Sequence, residues 1–189
     1  MKRVVADITK ESGVKFLLGG VALMWVIGIA QLILRLPMDS LAIYPRSLNH
    51  LASIFTAPFV HWGLFHLISN TLPILILGFL IHQLKALGVV TLIVTVITGI
   101  LVWLFARDAH HAGASGVVMG YFSFILSFGF FHRSFKSIFL GFIVFIFYGG
   151  LMFTLLDMRP HISFESHVFG FISGVIAAWW LAKVRKSKE

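Results

Sequence analysis

Six stretches of this chain run for roughly a membrane's thickness with almost no charge: Phe16 to Leu34, about Leu64 to Leu84, Leu87 to Phe105, Gly113 to Phe131, Ser137 to Leu156 and about Ser166 to Ala182. A bilayer core is crossed by about 20 apolar residues in helical conformation, so the pattern predicts six spans. Polar breaks separate them at Arg35 to His61, Lys85, Arg107-Asp108, His132 to Lys136 and Asp157 to Glu165. The expected fold class is all-α, a polytopic membrane helix bundle with six transmembrane helices. Residues 1–189 read as a single membrane domain: a short N-terminal segment 1–15, spans over about 16–182 and a basic tail 183–189. The first break is long for a compact bundle and carries Leu41, Ile43, Leu48, Leu51, Ile54 and Phe55. Such a loop should lie in the interface or fold against the helices, divided into short pieces by Pro37, Pro45 and Pro58.

Composition strengthens this picture. The chain is 59% hydrophobic and 12% charged, with mean hydropathy +0.97, against about 25% charged for soluble domains. No separate soluble module is expected. The first apolar run has no evident small-residue cleavage site, so no cleaved leader is expected either. The net charge of +8 could mark a nucleic-acid binder, but the basic residues are scattered through short loops and both ends. Topology accounts for them better. With the N-terminus in the cytoplasm, Lys2, Arg3, Lys10, Lys15, Lys85, Arg133, Lys136, Lys183, Arg185, Lys186 and Lys188 lie inside, and only Arg35, Arg46, Arg107 and Arg159 outside. This positive-inside bias predicts a multi-pass protein of the plasma (inner) membrane with both termini cytoplasmic, the lipid bilayer as partner and no nucleic acid. The absence of cysteine removes disulfides and thiolate chemistry.

In that orientation spans two, four and six all begin on the outer side. Ser115 opens span four, His167 opens span six, and His66 with Asn70 lie near the start of span two, so four polar side chains from three helices fall at one depth. Polar groups are expensive in hydrocarbon and ask for a function. His66 and Asn70, four apart, share a helix face. Gly113, Ala114 and Gly116 permit close approach to the serine, and His167, Gly170 and Gly174 form a small-residue ladder that lets span six press on span four. A serine becomes nucleophilic when a neighbouring base takes its proton, and a histidine can return that proton to a leaving amine. Asn70, His66 and the Ser115 backbone amide are candidate donors to an oxyanion. Taken singly, each feature reads as packing or capping; their coincidence does not.

The stretch His61-Trp62-Gly63-Leu64-Phe65-His66 through Asn70, then Gly113-Ala114-Ser115-Gly116, then His167 with Gly170 and Gly174, resembles the rhomboid family of intramembrane serine proteases. The likeness spans the six-helix core. It implies a Ser115 nucleophile, a His167 base without an aspartate, an oxyanion hole from His66, Asn70 and Ser115, transmembrane proteins as substrates and no cofactor. It also implies an outward-open water cavity, a membrane-embedded first loop, a mobile cap between spans five and six and lateral substrate access beside span five. Two positions depart from the family pattern. The tyrosine that many relatives carry four residues after the serine is Met119 here, with Tyr121 on another helix face, and no Trp-Arg pair stands in the first loop. Bracing of His167 and anchoring of that loop should therefore differ.

Two other readings compete. One is a non-catalytic relative that only binds membrane helices. The other is a metal- or haem-binding protein, because His50, His61, His66, His110, His111, His161 and His167 share the predicted outer side. No HExxH, cysteine pair or intramembrane acid cluster completes a metal site. His110 and His111 read as polar loop residues at the cavity mouth, His61 as support for the first loop, Asp157 and Glu165 as solvated, and Trp25 and Trp103 as lipid-facing or packing residues.

Overall fold

The computed structural model describes residues 2–159 and 162–187, with side chains from Ser12 onward; His161 and Lys188 lie outside them. Helix α1 spans Lys2–Leu34, α2 Leu64–Gln83, α3 Leu87–Phe105, α4 Ser115–His132, α5 Phe135–Tyr148 and α6 Phe164–Lys186. Among the described residues six helices are long and apolar enough to cross a membrane, the first from Ser12 and the fifth running on to Leu156. The observed spans match the predicted ones to within a few residues. Two ends differ in kind. The first helix begins well before its apolar stretch, at Lys2, and the fifth changes at Tyr148 into a tighter 3₁₀ segment, Gly149–Leu156.

Helix α4 is the centre of the bundle, packed against α6, α5, α3 and α2. Its crossing with α6 is close because both faces lack side chains where they meet. A β-carbon on Gly170 would run into the carbonyl of Gly116, and one on Gly174 into the Gly120 carbonyl and the Ser123 hydroxyl. Since lipid tails are as apolar as leucine, helix association in a bilayer depends on such packing and on polar contacts. Both are present. Thr98 Oγ1 donates to Ser173 Oγ at 3.0 Å, and Ser123 Oγ donates to the Phe171 carbonyl at 2.8 Å, joining α3, α4 and α6 in the interior. The small-residue ladder expected on span six is there, and its partner on α4 is Gly116 and Gly120.

The long first loop folds against the bundle as four single 3₁₀ turns, at Asp39–Leu41, Leu48–His50, Ala52–Ile54 and Ala57–Phe59. Ile43, Ile54 and Ala57 bury against Val102 and Ala106 of the α3 end, while Leu48, Leu51 and Phe55 stay exposed. Its anchoring answers the missing Trp-Arg pair. Ile43 and His111 exchange backbone hydrogen bonds of 2.9 and 2.8 Å, and the Arg46 amide donates to the Trp103 carbonyl at 2.9 Å. The Arg46 guanidinium donates to the Ala106 carbonyl at 2.9 Å and pairs with Asp108. Trp103 is more than packing bulk: its indole N–H donates to the Ser47 carbonyl at 2.9 Å. Trp25 likewise donates to Thr71 Oγ1 at 3.0 Å, tying α1 to α2.

Candidate functional site

A cavity of about 590 Å³ opens at the end of the bundle where α2, α4 and α6 begin, and its wall includes His66, Asn70, Ser115, Met119, Thr154 and His167. The two residues of the expected dyad, 52 positions apart in sequence, thus face one space. Ser115 is the first residue of α4, so its backbone N–H belongs to the turn that has no intrahelical partner. Neither that amide nor the Ser115 hydroxyl has a hydrogen-bond partner among the described residues. Ahead of it the chain must turn sharply. Gly113 sits at φ +112°, a left-handed conformation, and a β-carbon there would lie 2.6 Å from Cε1 of the His66 ring. Gly113 therefore meets both a backbone and a space requirement.

The turn is held from two sides. The Gly113 amide donates to the Ala57 carbonyl at 2.9 Å, and the Ala114 amide donates to Nε2 of His61 at 3.3 Å. His61 Nδ1 lies 3.3 Å from the Phe59 carbonyl, which can only accept, so the ring is the neutral Nδ1–H form with its lone pair on Nε2. Burial, with the neighbouring His66 ring adding to it, pushes His61 down to about 4. His61 thus does more than support the first loop: it fixes the residue next to Ser115. The His61 and His66 rings meet edge to face at 4.9 Å between centroids.

His167 is buried, and its Nδ1 lies 3.1 Å from the backbone carbonyl of Thr154 in the 3₁₀ segment. Nδ1 must carry the proton, leaving the lone pair on Nε2. The Thr154 hydroxyl donates to the Leu151 carbonyl at 2.7 Å and lies 3.8 Å from Sδ of buried Met119. The Thr154 carbonyl is thus the hydrogen-bond partner of the His167 ring, and Met119, at the place of the family tyrosine, lies against Thr154. Tyr121 is elsewhere, its hydroxyl 2.6 Å from Thr91 Oγ1 between α4 and α3. Asn70 is buried, and its Nδ2 donates to the His66 carbonyl at 2.8 Å, which uses one of two amide protons.

Two expectations about outer polar residues are corrected. Glu165 is 7% exposed rather than solvated, with Oε1 3.5 Å from Nε of Arg107 and 3.4 Å from its backbone amide. His111 is 2% exposed rather than at the mouth, although its neighbour His110 is exposed. Nε2 of His111 donates to the Arg107 carbonyl at 3.0 Å, and Nδ1 accepts from Ser163 Oγ at 2.7 Å. Ser163 in turn caps α6 by accepting from the Ser166 amide at 3.3 Å. Burial pushes His111 below its ordinary value. These contacts lock the loop before Ser115 to the first turn of α6. Asp157 is partly covered and pairs with Arg159 at 2.5 Å. Among the described residues no group of three histidines or carboxylates could hold a metal ion.

The geometry defines a class: a multi-pass helical membrane protein with a serine, two histidines and an asparagine gathered on one cavity. Residues 48–184 match the family model described as Rhomboid domain. The uncharacterized protein Rv1337 of Mycobacterium tuberculosis is 31% identical over 180 residues, covering 89% of this chain and 75% of that protein. The uncharacterized protein ML1171 of Mycobacterium leprae is 32% identical over 196 residues, covering 93% and 78% respectively. The chain belongs to the rhomboid family.

Proposed function

We propose that this chain is an intramembrane serine endopeptidase, cleaving a peptide bond in or beside a transmembrane segment of another membrane protein. The observation that carries the reading is the convergence of Ser115, His167, His66 and Asn70 on one cavity from three helices. Ser115 Oγ attacks the scissile carbonyl carbon while its proton passes to Nε2 of His167. The oxyanion is met by the Ser115 amide, the second amide proton of Asn70 and the His66 ring, at the positive end of the α4 dipole. Collapse breaks the C–N bond, and the amine departs with the proton from His167. Water then adds to the acyl-enzyme with His167 again as base, releasing the acid and regenerating Ser115. No cofactor takes part. The distribution of basic residues supports cytoplasmic termini in the plasma membrane, a cavity opening outward and one membrane domain over residues 1–189.

The unpartnered Ser115 hydroxyl favours a second reading, binding of membrane helices without cleavage; yet catalytic hydrogen bonds often tighten only with substrate bound. Purified protein in detergent, incubated with a single-span reporter, separates the two. Wild type should cleave, and Ser115→Ala and His167→Ala should each lower the rate by roughly four to six orders of magnitude with unchanged melting. Asn70→Ala should lower it by about a hundredfold. Unchanged cleavage by either dyad variant overturns the assignment. A fluorophosphonate that leaves wild type and Ser115→Ala equally unlabelled favours the binding reading.

A further inference from the structure

We infer that Thr154 is the positioning residue for His167, and that the 3₁₀ segment Gly149–Leu156 keeps the histidine in its reactive tautomer only while seated against α4 and α6. The inference rests on the proteolytic reading for its catalytic consequence, though not for its geometry. A histidine acts as base towards Ser115 through one ring nitrogen, and which nitrogen carries the proton is set by the partner of the other. Here that partner is the Thr154 carbonyl at 3.1 Å, an obligate acceptor, so Nδ1–H donates and Nε2 is left basic. The acceptor belongs neither to α6, which carries His167, nor to α4, which carries Ser115.

How that acceptor is held matters. Helix α5 ends at Tyr148, Gly149-Gly150 follow, and no residue of the 3₁₀ segment is buried. A β-carbon on Gly150 would meet nothing within 4 Å. Few buried contacts make a segment easy to displace. Leu151 and Leu155 pack half-buried against the core, and the Thr154 side chain adds a polar fastening: its hydroxyl closes the turn on the Leu151 carbonyl at 2.7 Å and lies against buried Met119 of α4. Leu151 and Thr154 also line the cavity with Ser115 and His167. A substrate segment that displaced this wall would remove the acceptor from Nδ1 and free the ring to take the Nε2–H form, which cannot accept the serine proton. Catalysis then requires the segment to reseat once substrate is in place.

The test uses the purified full chain with ¹⁵N-labelled histidine. The His167 resonance is identified by its loss in His167→Gln, and imidazole ¹⁵N shifts distinguish Nδ1–H from Nε2–H. Wild type should give the Nδ1–H signature. Thr154→Val, which keeps the volume and removes the hydroxyl, should add the Nε2–H form and lower kcat about tenfold with KM unchanged, and Thr154→Ser should restore both. A wild-type Nε2–H signature overturns the inference, as does a Thr154→Val protein with unaltered tautomer and kcat. Cleavage by a protein whose His167 is Nε2–H leaves the protease reading intact. An Nδ1–H ring in a protein that cleaves nothing preserves the geometry and removes the reading.

Discussion

The α4–α6 crossing and the fifth span are built from opposite materials. In the most apolar stretch of α4, 67% of the residues are buried, against 11% in the most apolar stretch of the fifth span. Helices α4 and α6 meet through Gly116, Gly120, Gly170 and Gly174, backbone on backbone. The fifth span instead turns Phe139, Phe142, Phe145 and Phe147 outward, where lipid is as good a neighbour as protein. Ser115 and His167, the proposed nucleophile and base, grow from the tight region. The Thr154 carbonyl that meets the His167 ring grows from the loose one. On the proposed reading, the groups that react and the wall that admits a substrate helix are thereby built from different materials.

The largest expected effect comes from filling the tight crossing. In Gly174→Leu the new β-carbon would collide with the Gly120 carbonyl and the Ser123 hydroxyl, and a carbonyl in a helix cannot swing aside. Overpacking against backbone should destabilise by about 3 kcal/mol or more. Loss of folded protein, or a melting midpoint many degrees lower in detergent, is the expected result; a near-normal melt would show that the crossing tolerates side chains and end the comparison.

A smaller, pH-dependent effect should come from the turn that holds Ser115. His61 titrates near 6.5 when unfolded and at about 4 in the folded protein, because burial and then the neighbouring His66 ring disfavour its charged form. Between those values the unfolded chain binds more protons, so stability is full above about pH 6.5, falls as pH drops towards 4 and levels below it. At about 1.4 kcal/mol per unit the fall is on the order of 3 kcal/mol, and His111, pushed the same way by burial, adds to it. His61→Gln should remove most of this slope in melting curves recorded from pH 7.5 to 4. An unchanged slope would mean that His61 is not buried as a neutral acceptor.

The spans were legible because a bilayer dictates their length, and a charge-free run of that length has few alternatives. Gly170 and Gly174 were legible because helical spacing puts small residues on one face. Ser115, His167, His66 and Asn70 stood out because polar groups at one depth need explaining. Thr154 did not stand out: its contribution to His167 is a backbone carbonyl, which every residue type carries. Glu165 and His111 looked like loop residues since their partners, Arg107 and Ser163, lie 58 and 52 positions away, and nothing local in the sequence brings them together. Met119 marked where the family tyrosine was missing, while the hydrogen-bond partner of the His167 ring, the Thr154 carbonyl, comes from another element.

The smallest expected effect is the sharpest control on the contrast between the two regions. Phe147 is 75% exposed on the fifth span, two positions before Gly149-Gly150. In water, removing a phenylalanine from a surface would mean little; in a bilayer the ring is exchanged for lipid, and that is also nearly neutral. Phe147→Ala should shift the melting midpoint by no more than about 0.5 kcal/mol would, far less than Gly174→Leu, although it removes a whole ring. If deleting this ring destabilised as strongly as filling the glycine crossing, the fifth span would be held by contacts as firm as those of α4, and Thr154 would sit on a rigid wall rather than a displaceable one.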